Sequence, residues 1–286
     1  MTASHSKDTL LIGCGYLGAT LVGLLARGTV TAVTRSSQRH AALSTAGVRC
    51  LTCDLSAPDL CETLAAALAG FDGAVMLIAP PSAWRDDDPR PALARLTTAL
   101  KSLTVSRAVL ASSTAVYGDA QGGRVEAASA VQDVDGRSHK LLAIEDHWMA
   151  SGLDSYVVRL AGLYGPGRVI GRDSIARGEV LPGADDDWLN LVHIEDAARA
   201  MLATVSAPAP LRYALISDAQ PLLRRDYYGA LAACMNAPVP RFGAEGGRRA
   251  GSRRCDSSSS WAALGLSPRW PDSRAALPAL VPTGGG

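Results

Sequence analysis

The stretch over residues 9–28, TLLIGCGYLGATLVGLLARG, constrains the fold of this chain more than any other. Leu10, Leu11 and Ile12 form an apolar run that enters Gly13-x-Gly15-x-x-Gly18, and Leu17, Leu21, Leu24 and Leu25 then recur at helical spacing. The glycines therefore fall at a strand-to-helix turn. Gly13 permits the tight turn, Gly15 leaves room for backbone to approach a pyrophosphate, and Gly18 lets the helix pack on the strand. Orphan N–H groups of the helix then face the anion, and Tyr16 and Leu17 of its first turn join the candidate cofactor-binding set. A chance glycine cluster at a βα turn is the competing reading, and the agreement of strand, spacing and helix tells against it.

Composition narrows the class of protein. With 286 residues, 48% hydrophobic and 19% charged, the chain is long enough for one large domain or two smaller ones with a proper core. A net charge of +1 argues against a nucleic-acid partner, whose binding face is strongly basic. The N-terminus MTASHSKD lacks the apolar segment of a signal peptide, and no apolar run approaches the ~18–20 residues that span a bilayer. The expectation is a cytoplasmic protein without a membrane partner. Of the six cysteines, Cys50-x-x-Cys53 has the spacing of half a metal site, but VRCLTCDL reads as a strand, on which residues three apart point to opposite faces. Free buried thiols and no metal are expected.

Along the chain, residues 30–34 (VTAVT) read as a second strand. About 20 residues beyond the glycines, where an NAD site places a carboxylate on the ribose diol, stand Thr34, Arg35 and Ser36, with Arg39 close behind. A guanidinium binds a 2′-phosphate in bidentate fashion and a hydroxyl adds a donor, so the segment predicts NADP(H), with NAD as the lesser choice. A solvated arginine at a strand end is the alternative. Residues 48–53 give a third strand, which puts Asp54 and Leu55 at the adenine edge. Helix 58–69, strand 73–79 ending at Ala79 and Pro80, helix 89–103 and strand 107–111 continue a βα alternation that builds a doubly wound parallel sheet. Between them PPSAWRDDDPRP reads as a solvated loop, with Trp84 as a candidate lid. At the carboxyl end of the fifth strand, Ser112, Ser113 and Thr114 stand where open α/β sheets bind ligands, although Ser and Thr also cap turns routinely.

Three blocks then carry a family resemblance: Ser113-Thr114-Ala115-Val116-Tyr117-Gly118-Asp119, Arg159 to Tyr164-Gly165-Pro166-Gly167, and Asn190-Leu-Val-His193-Ile-Glu-Asp196-Ala-Ala-Arg-Ala200. In this order, behind the glycine motif, they resemble the extended short-chain dehydrogenase/reductases, NAD(P)-dependent epimerases, dehydratases and reductases, over residues ~9–205. The resemblance implies that Ser113 polarises the substrate's carbonyl or alcohol. It also implies a Tyr-x-x-x-Lys pair at the start of the next helix. Counting back from Lys140 puts Gly136 at the tyrosine position; counting from Glu145 puts Arg137 there and Leu141 at the lysine. Neither supplies a tyrosine, so the chain resembles the atypical members. Lys140 would bind the nicotinamide ribose, with proton transfer from Tyr117, Tyr164, His139 or a water. A homodimer through helices 89–103 and 138–150 is also an expectation of the resemblance.

Helix 138–150 and strand 155–160 complete the nucleotide-binding part. Beyond Gly162, Arg168, Arg172 and Arg177 occupy a loop suited to an anionic substrate or simply to solvent. Asp185 to Asp187 reads as a turn, followed by helix 193–203, strand 211–216 and helix 224–235. Segment 243–260 alone reads as flexible, yet Arg253 and Arg254 resemble the family's C-terminal pattern, which makes Arg254 a candidate substrate contact. The expected architecture is a Rossmann domain over residues 1–160 and a smaller substrate-covering lobe over 161–286. The expected function is NADP(H)-dependent reduction of a small polar carbonyl or imine. A nucleotide-sugar-type epimerase or dehydratase with bound NAD(P), and a catalytically silent NAD(P)-binding regulator, are the alternatives.

Overall fold

The computed structural model describes residues 8–243 and 252–281; the N-terminal tail, residues 244–251 of the Arg/Gly/Ser-rich segment read as flexible, and the PTGGG end lie outside them. The chain opens as β1 (Asp8–Ile12), α1 (Tyr16–Leu24), β2 (Val30–Thr34), α2 (His40–Thr45), β3 (Arg49–Thr52), α3 (Leu60–Ala67), β4 (Asp72–Leu77), α4 (Arg90–Lys101) and β5 (Thr104–Ser113). It continues through β6 (Arg124–Val125), α5 (Gly136–Met149), β7 (Ser155–Leu160), β8 (Gly162–Tyr164), α6 (Arg172–Ala176), β9 (Leu181–Pro182), β10 (Trp188–Leu189) and β11 (Leu191–His193). Then come α7 (Ile194–Ser206), β12 (Tyr213–Ile216), β13 (Leu222–Leu223), α8 (Arg224–Cys234), β14 (Phe242–Gly243), β15 (Arg254–Cys255), α9 (Ser258–Ala263) and α10 (Ser273–Leu280).

Seven strands form one sheet in the order β12-β7-β5-β4-β1-β2-β3, a doubly wound Rossmann-type α/β sheet. The pairs from β3 across to β5 are all parallel. Strands covered on both faces are apolar throughout, and Leu10, Leu11, Ile12, Val75, Met76 and Leu77 are accordingly fully buried. The order reverses between β1 and β4, and the carboxyl ends on either side of such a reversal form the crevice where open α/β sheets bind ligands.

The chain divides into two compact units that interleave along the sequence. One holds residues 1–112, 135–158 and 198–213; the other holds 113–134, 159–197 and 214–286. The first unit's core gathers Leu10, Ile12, Leu64, Leu77, Leu93, Leu110 and Trp148. Trp84 is in that core, 2% exposed, so it is no lid in this structure: a side chain already packed inside has no solvent face to swing over a ligand. The second unit's core gathers Tyr164, Leu189, Leu222, Tyr227, Leu231 and Leu277. Its two-residue strands pair in isolation, β10 with β13, β14 with β9 and β15 with β6.

Candidate functional site

The first unit carries a groove of about 260 Å³ at the carboxyl ends of β1 to β4. Gly13, Cys14 and Gly15 line it after β1, Thr34, Arg35, Ser36, Gln38 and Arg39 after β2, Leu55 after β3, and Ala79, Pro80 and Ser82 after β4. Gly13 has φ +91°, and a Cβ there would stand 2.9 Å from the backbone nitrogen of Ala79, so no other residue fits. A Cβ on Gly18 would press on Ile78 and Cys14 at 3.0–3.1 Å, which is why α1 can sit close to the sheet. Gly15 differs: its Cβ would point into open space, and Gly15 caps α1 without any side-chain bond to the helix N–H groups. No acidic residue occupies the first turn of α1. Backbone N–H groups with neither a side-chain cap nor an acidic neighbour favour an anion, and the open face of Gly15 admits a pyrophosphate. The residues present fit a dinucleotide.

The charge of the groove is one-sided. Arg35 and Arg39 are its charged lining residues and both are exposed. Arg39 Nη1 donates to the carbonyl of Cys14 at 3.3 Å, which holds the guanidinium against the glycine turn. The Asp54 carboxylate does not line the groove; it accepts from the N–H of Ser56 at 3.0 Å and pairs with Arg85. Tyr16 and Leu17 stand in the first turn of α1, with Leu17 buried under it rather than facing the groove. Cys14 and Cys53 also line the groove, and burial pushes both thiols above the usual range. All six cysteines are free, but only Cys14, Cys53 and Cys255 are buried as expected; Cys50, Cys61 and Cys234 are half-buried.

The first unit also holds α5, started by a reciprocal capping box between Asp135 and Ser138. That cap explains why the helix begins at Gly136, two residues before the position expected from its apolar pattern. Lys140 Nζ donates to the carbonyl of Asp86 at 2.6 Å and so ties the 84–90 loop to α5. Ser112 donates to buried Glu145 at 2.5 Å, a β5-to-α5 strut that leaves this serine structural. The sequence Gly136–Met149 contains no tyrosine.

In the second unit, Ser113 caps the short turn Thr114–Tyr117 by accepting from the N–H of Ala115 at 3.2 Å. As an acceptor there, it keeps its own proton to give. Tyr117 is 1% exposed; its hydroxyl donates to the carbonyl of Ala127 and accepts from Arg159, both at 3.2 Å. A phenol so engaged in the interior has no proton to lend to a substrate. Tyr164 is fully buried, and burial with Asp218 close by drives its ionisation far up. His139 is exposed on α5. Arg168 and Arg172 are exposed, and Arg177 pairs with Glu179 at 2.6 Å. Arg254 lies in β15 with its guanidinium 5.6 Å over the Trp188 ring, while Asn190 grips the strand by donating to the carbonyl of Arg253 and accepting from the N–H of Cys255.

Sequence reasoning missed Arg85 as the partner of Asp54 and His40 as the partner of Thr34. Neither stands in a motif: Arg85 meets Asp54 from a separate loop, and His40 reaches back across the β2–α2 turn. With fold, groove and glycine turn in agreement, the chain belongs to the NAD dependent epimerase/dehydratase family, whose pattern it matches over residues 10–213. It is similar to Protein YeeZ of Escherichia coli (strain K12), 29% identical over 243 residues that cover 82% of this chain and 86% of that protein. A functionally unknown conserved protein from Silicibacter pomeroyi DSS shares the fold at TM-score 0.79 and 22% identity, covering 96% of this chain and 98% of that one. MoeE5, solved with UDP-glucose and NAD, does so at TM-score 0.76 and 23% identity, over 96% and 97%.

Proposed function

We propose that this chain is an NADP(H)-dependent oxidoreductase that reduces a small polar carbonyl or imine substrate. The observation that carries the reading is the groove after β2, where Arg35, Arg39 and the hydroxyl of Ser36 stand around the turn that Thr34 closes, and no carboxylate does. A 2′-phosphate gains charge-assisted bonds from such a set, whereas a free ribose diol gains no carboxylate acceptor. The nicotinamide, when bound, supplies hydride. Gly13, Gly15 and the first turn of α1 would hold the pyrophosphate, with Gly18 letting the helix sit close, Leu55, Ala79 and Pro80 lining the rest of the nucleotide's groove, and Lys140, whose Nζ holds the Asp86 carbonyl in this structure, turning to the nicotinamide ribose. In this reading Ser113 hydrogen-bonds the reacting oxygen or nitrogen and orients it, keeping its own proton.

The proton balance supports an imine within that class. Tyr117 and Tyr164 are both committed to the interior, and α5 offers no tyrosine. An iminium arrives already protonated and needs only hydride, while a ketone must find its proton from water or from His139. A second reading, a nucleotide-sugar epimerase or dehydratase with NAD held through the cycle, is favoured by the likeness to MoeE5 and its UDP-glucose. It demands a base to oxidise an alcohol, which these residues supply poorly. Small-molecule turnover as a homodimer, in the cytoplasm, remains part of the proposal.

Thermal shift with NADPH and with NADH tests the cofactor, since a ligand at 100 times its Kd stabilises by about 2.7 kcal/mol. A larger shift with NADPH is expected, and equal shifts would remove the NADP(H) reading. NADPH consumption over aldehydes, ketones, imines and nucleotide sugars tests the chemistry, with Ser113→Ala as the variant expected to abolish it. An unchanged rate in that variant would clear the serine of its role, and silence on every substrate would leave a cofactor-binding regulator.

A further inference from the structure

β2 ends at Thr34 and α2 begins at His40, and between them Arg35, Ser36, Ser37, Gln38 and Arg39 are all exposed. An exposed segment of this kind opens easily unless side chains tie it. Two bonds on one oxygen do so. The Thr34 hydroxyl donates to the carbonyl of Ser36 at 3.0 Å, which closes the turn around Arg35, and the same oxygen lies 2.7 Å from Nε2 of His40. A hydroxyl has one proton to give. Because Thr34 gives it to Ser36, the oxygen accepts from His40, whose proton must therefore sit on Nε2. The relay runs from imidazole to hydroxyl to carbonyl, each bond polarising the next.

We propose that His40 is a positioning residue for cofactor choice: through Thr34 it fixes the shape in which Arg35, Ser36 and Arg39 receive a 2′-phosphate. This inference rests on the NADP(H) reading and deepens it. His40 is not a lining residue of the groove, so it acts through others. Its neighbour Arg39 reaches the opposite way, to the carbonyl of Cys14. One two-residue step at the start of α2 thus ties the phosphate-side residues both to the end of β2 and to the glycine turn. A diol-bearing cofactor without the 2′-phosphate makes no use of the Arg35–Ser36 shape and is indifferent to the relay.

The test is equilibrium titration of the full chain with NADPH and with NADH, for the unaltered protein, His40→Ala, His40→Gln and Thr34→Val. The unaltered protein is expected to favour NADPH. His40→Ala lowers that preference about threefold to tenfold, the worth of one hydrogen bond, entirely through NADPH. The amide nitrogen of Gln reaches the place of Nε2, so His40→Gln restores the preference, and Thr34→Val repeats the loss from the other end of the relay. Undiminished preference in His40→Ala overturns the inference, as does equal weakening of both cofactors, which marks a merely structural role. Unaltered NADH binding serves as the folding control, and Thr34→Val decides the matter if His40→Ala does not fold. If the unaltered protein shows no preference at all, the NADP(H) reading itself has failed, and this measurement comes first so that the two failures are told apart.

Discussion

The two units handle polar chemistry in opposite ways. The first unit's groove is made of backbone and of exposed cations, Arg35 and Arg39, arranged around glycines that present no side chain. The second unit seals its polar groups inside: Tyr164, His193, Asp196 and Asp218 are each 6% exposed or less. His193 stacks on Trp270 at 4.4 Å and meets Tyr164 edge-on at 5.2 Å. Its Nδ1 accepts from the N–H of Glu195, and burial lowers its pKa. Asp218 accepts from the N–H of His193, and Nε2 of His193 finds no hydrogen-bond partner among the described residues. An open site leaves its groups hydrated until a ligand arrives, whereas a sealed one must settle its charges at folding. The contrast teaches that a polar cluster and a binding site are separate things in this chain.

Asp218 offers the largest way to break the comparison. Burial pushes its carboxyl up to about 8, so between pH ~4 and ~8 the folded chain holds a proton that the unfolded chain has lost. Stability contributed by the protonated group is complete at the acid end and falls as pH rises, with a slope on the order of 1.4 kcal/mol per pH unit, levelling off above ~8. Urea denaturation at pH 5, 7 and 9 should show that fall, and Asp218→Asn should flatten it. A wild-type profile without any decline would mean that water reaches Asp218 and the cluster is not sealed.

Asp196 gives the next largest effect, because its carboxylate accepts from the backbone N–H groups of Arg269 and Trp270 at 3.0 and 2.8 Å. Asp196→Ala strands both donors, and a loss of about 3 kcal/mol in denaturant midpoint experiments is expected. In the first unit Gly13→Ala should cost roughly 2–3 kcal/mol from backbone strain and its clash with Ala79, and should remove the NADPH-induced thermal shift as well. A variant that folds less well but still shows the full shift would separate the turn from the cofactor. The smallest effect belongs to Arg39→Ala: NADPH affinity falls about tenfold, global stability stays within about 0.5 kcal/mol, and calorimetry reads both.

Legibility differed between the units for the same physical reason. β2 and β7 occupy the residues expected of them, 30–34 and 155–160, because a short stretch rich in β-branched and apolar residues between turn signals marks a strand locally. The glycine turn was readable too, since its spacing is local, although the atoms that exclude a side chain at Gly13 belong to Ala79. By contrast Arg254 pairs with Arg124 in a two-residue ladder, and no periodicity fits in two residues. Trp84 sits in a stretch whose prolines and aspartates read as solvated loop, yet its indole is in the core. The start of α5 moved because Asp135 and Ser138 cap each other, a signal carried by polar residues ahead of the apolar pattern.

Alone, the sequence determined the winding of the sheet, the place of the glycine turn and the absence of a carboxylate after β2, all of which depend on residues a few positions apart. Only the tertiary structure decided that Asp54 answers to Arg85 and that Tyr117 is spent on Arg159 and Ala127. Hydrogen bonds and ion pairs of that kind are settled by which loops meet in space, and local pattern carries no record of the meeting.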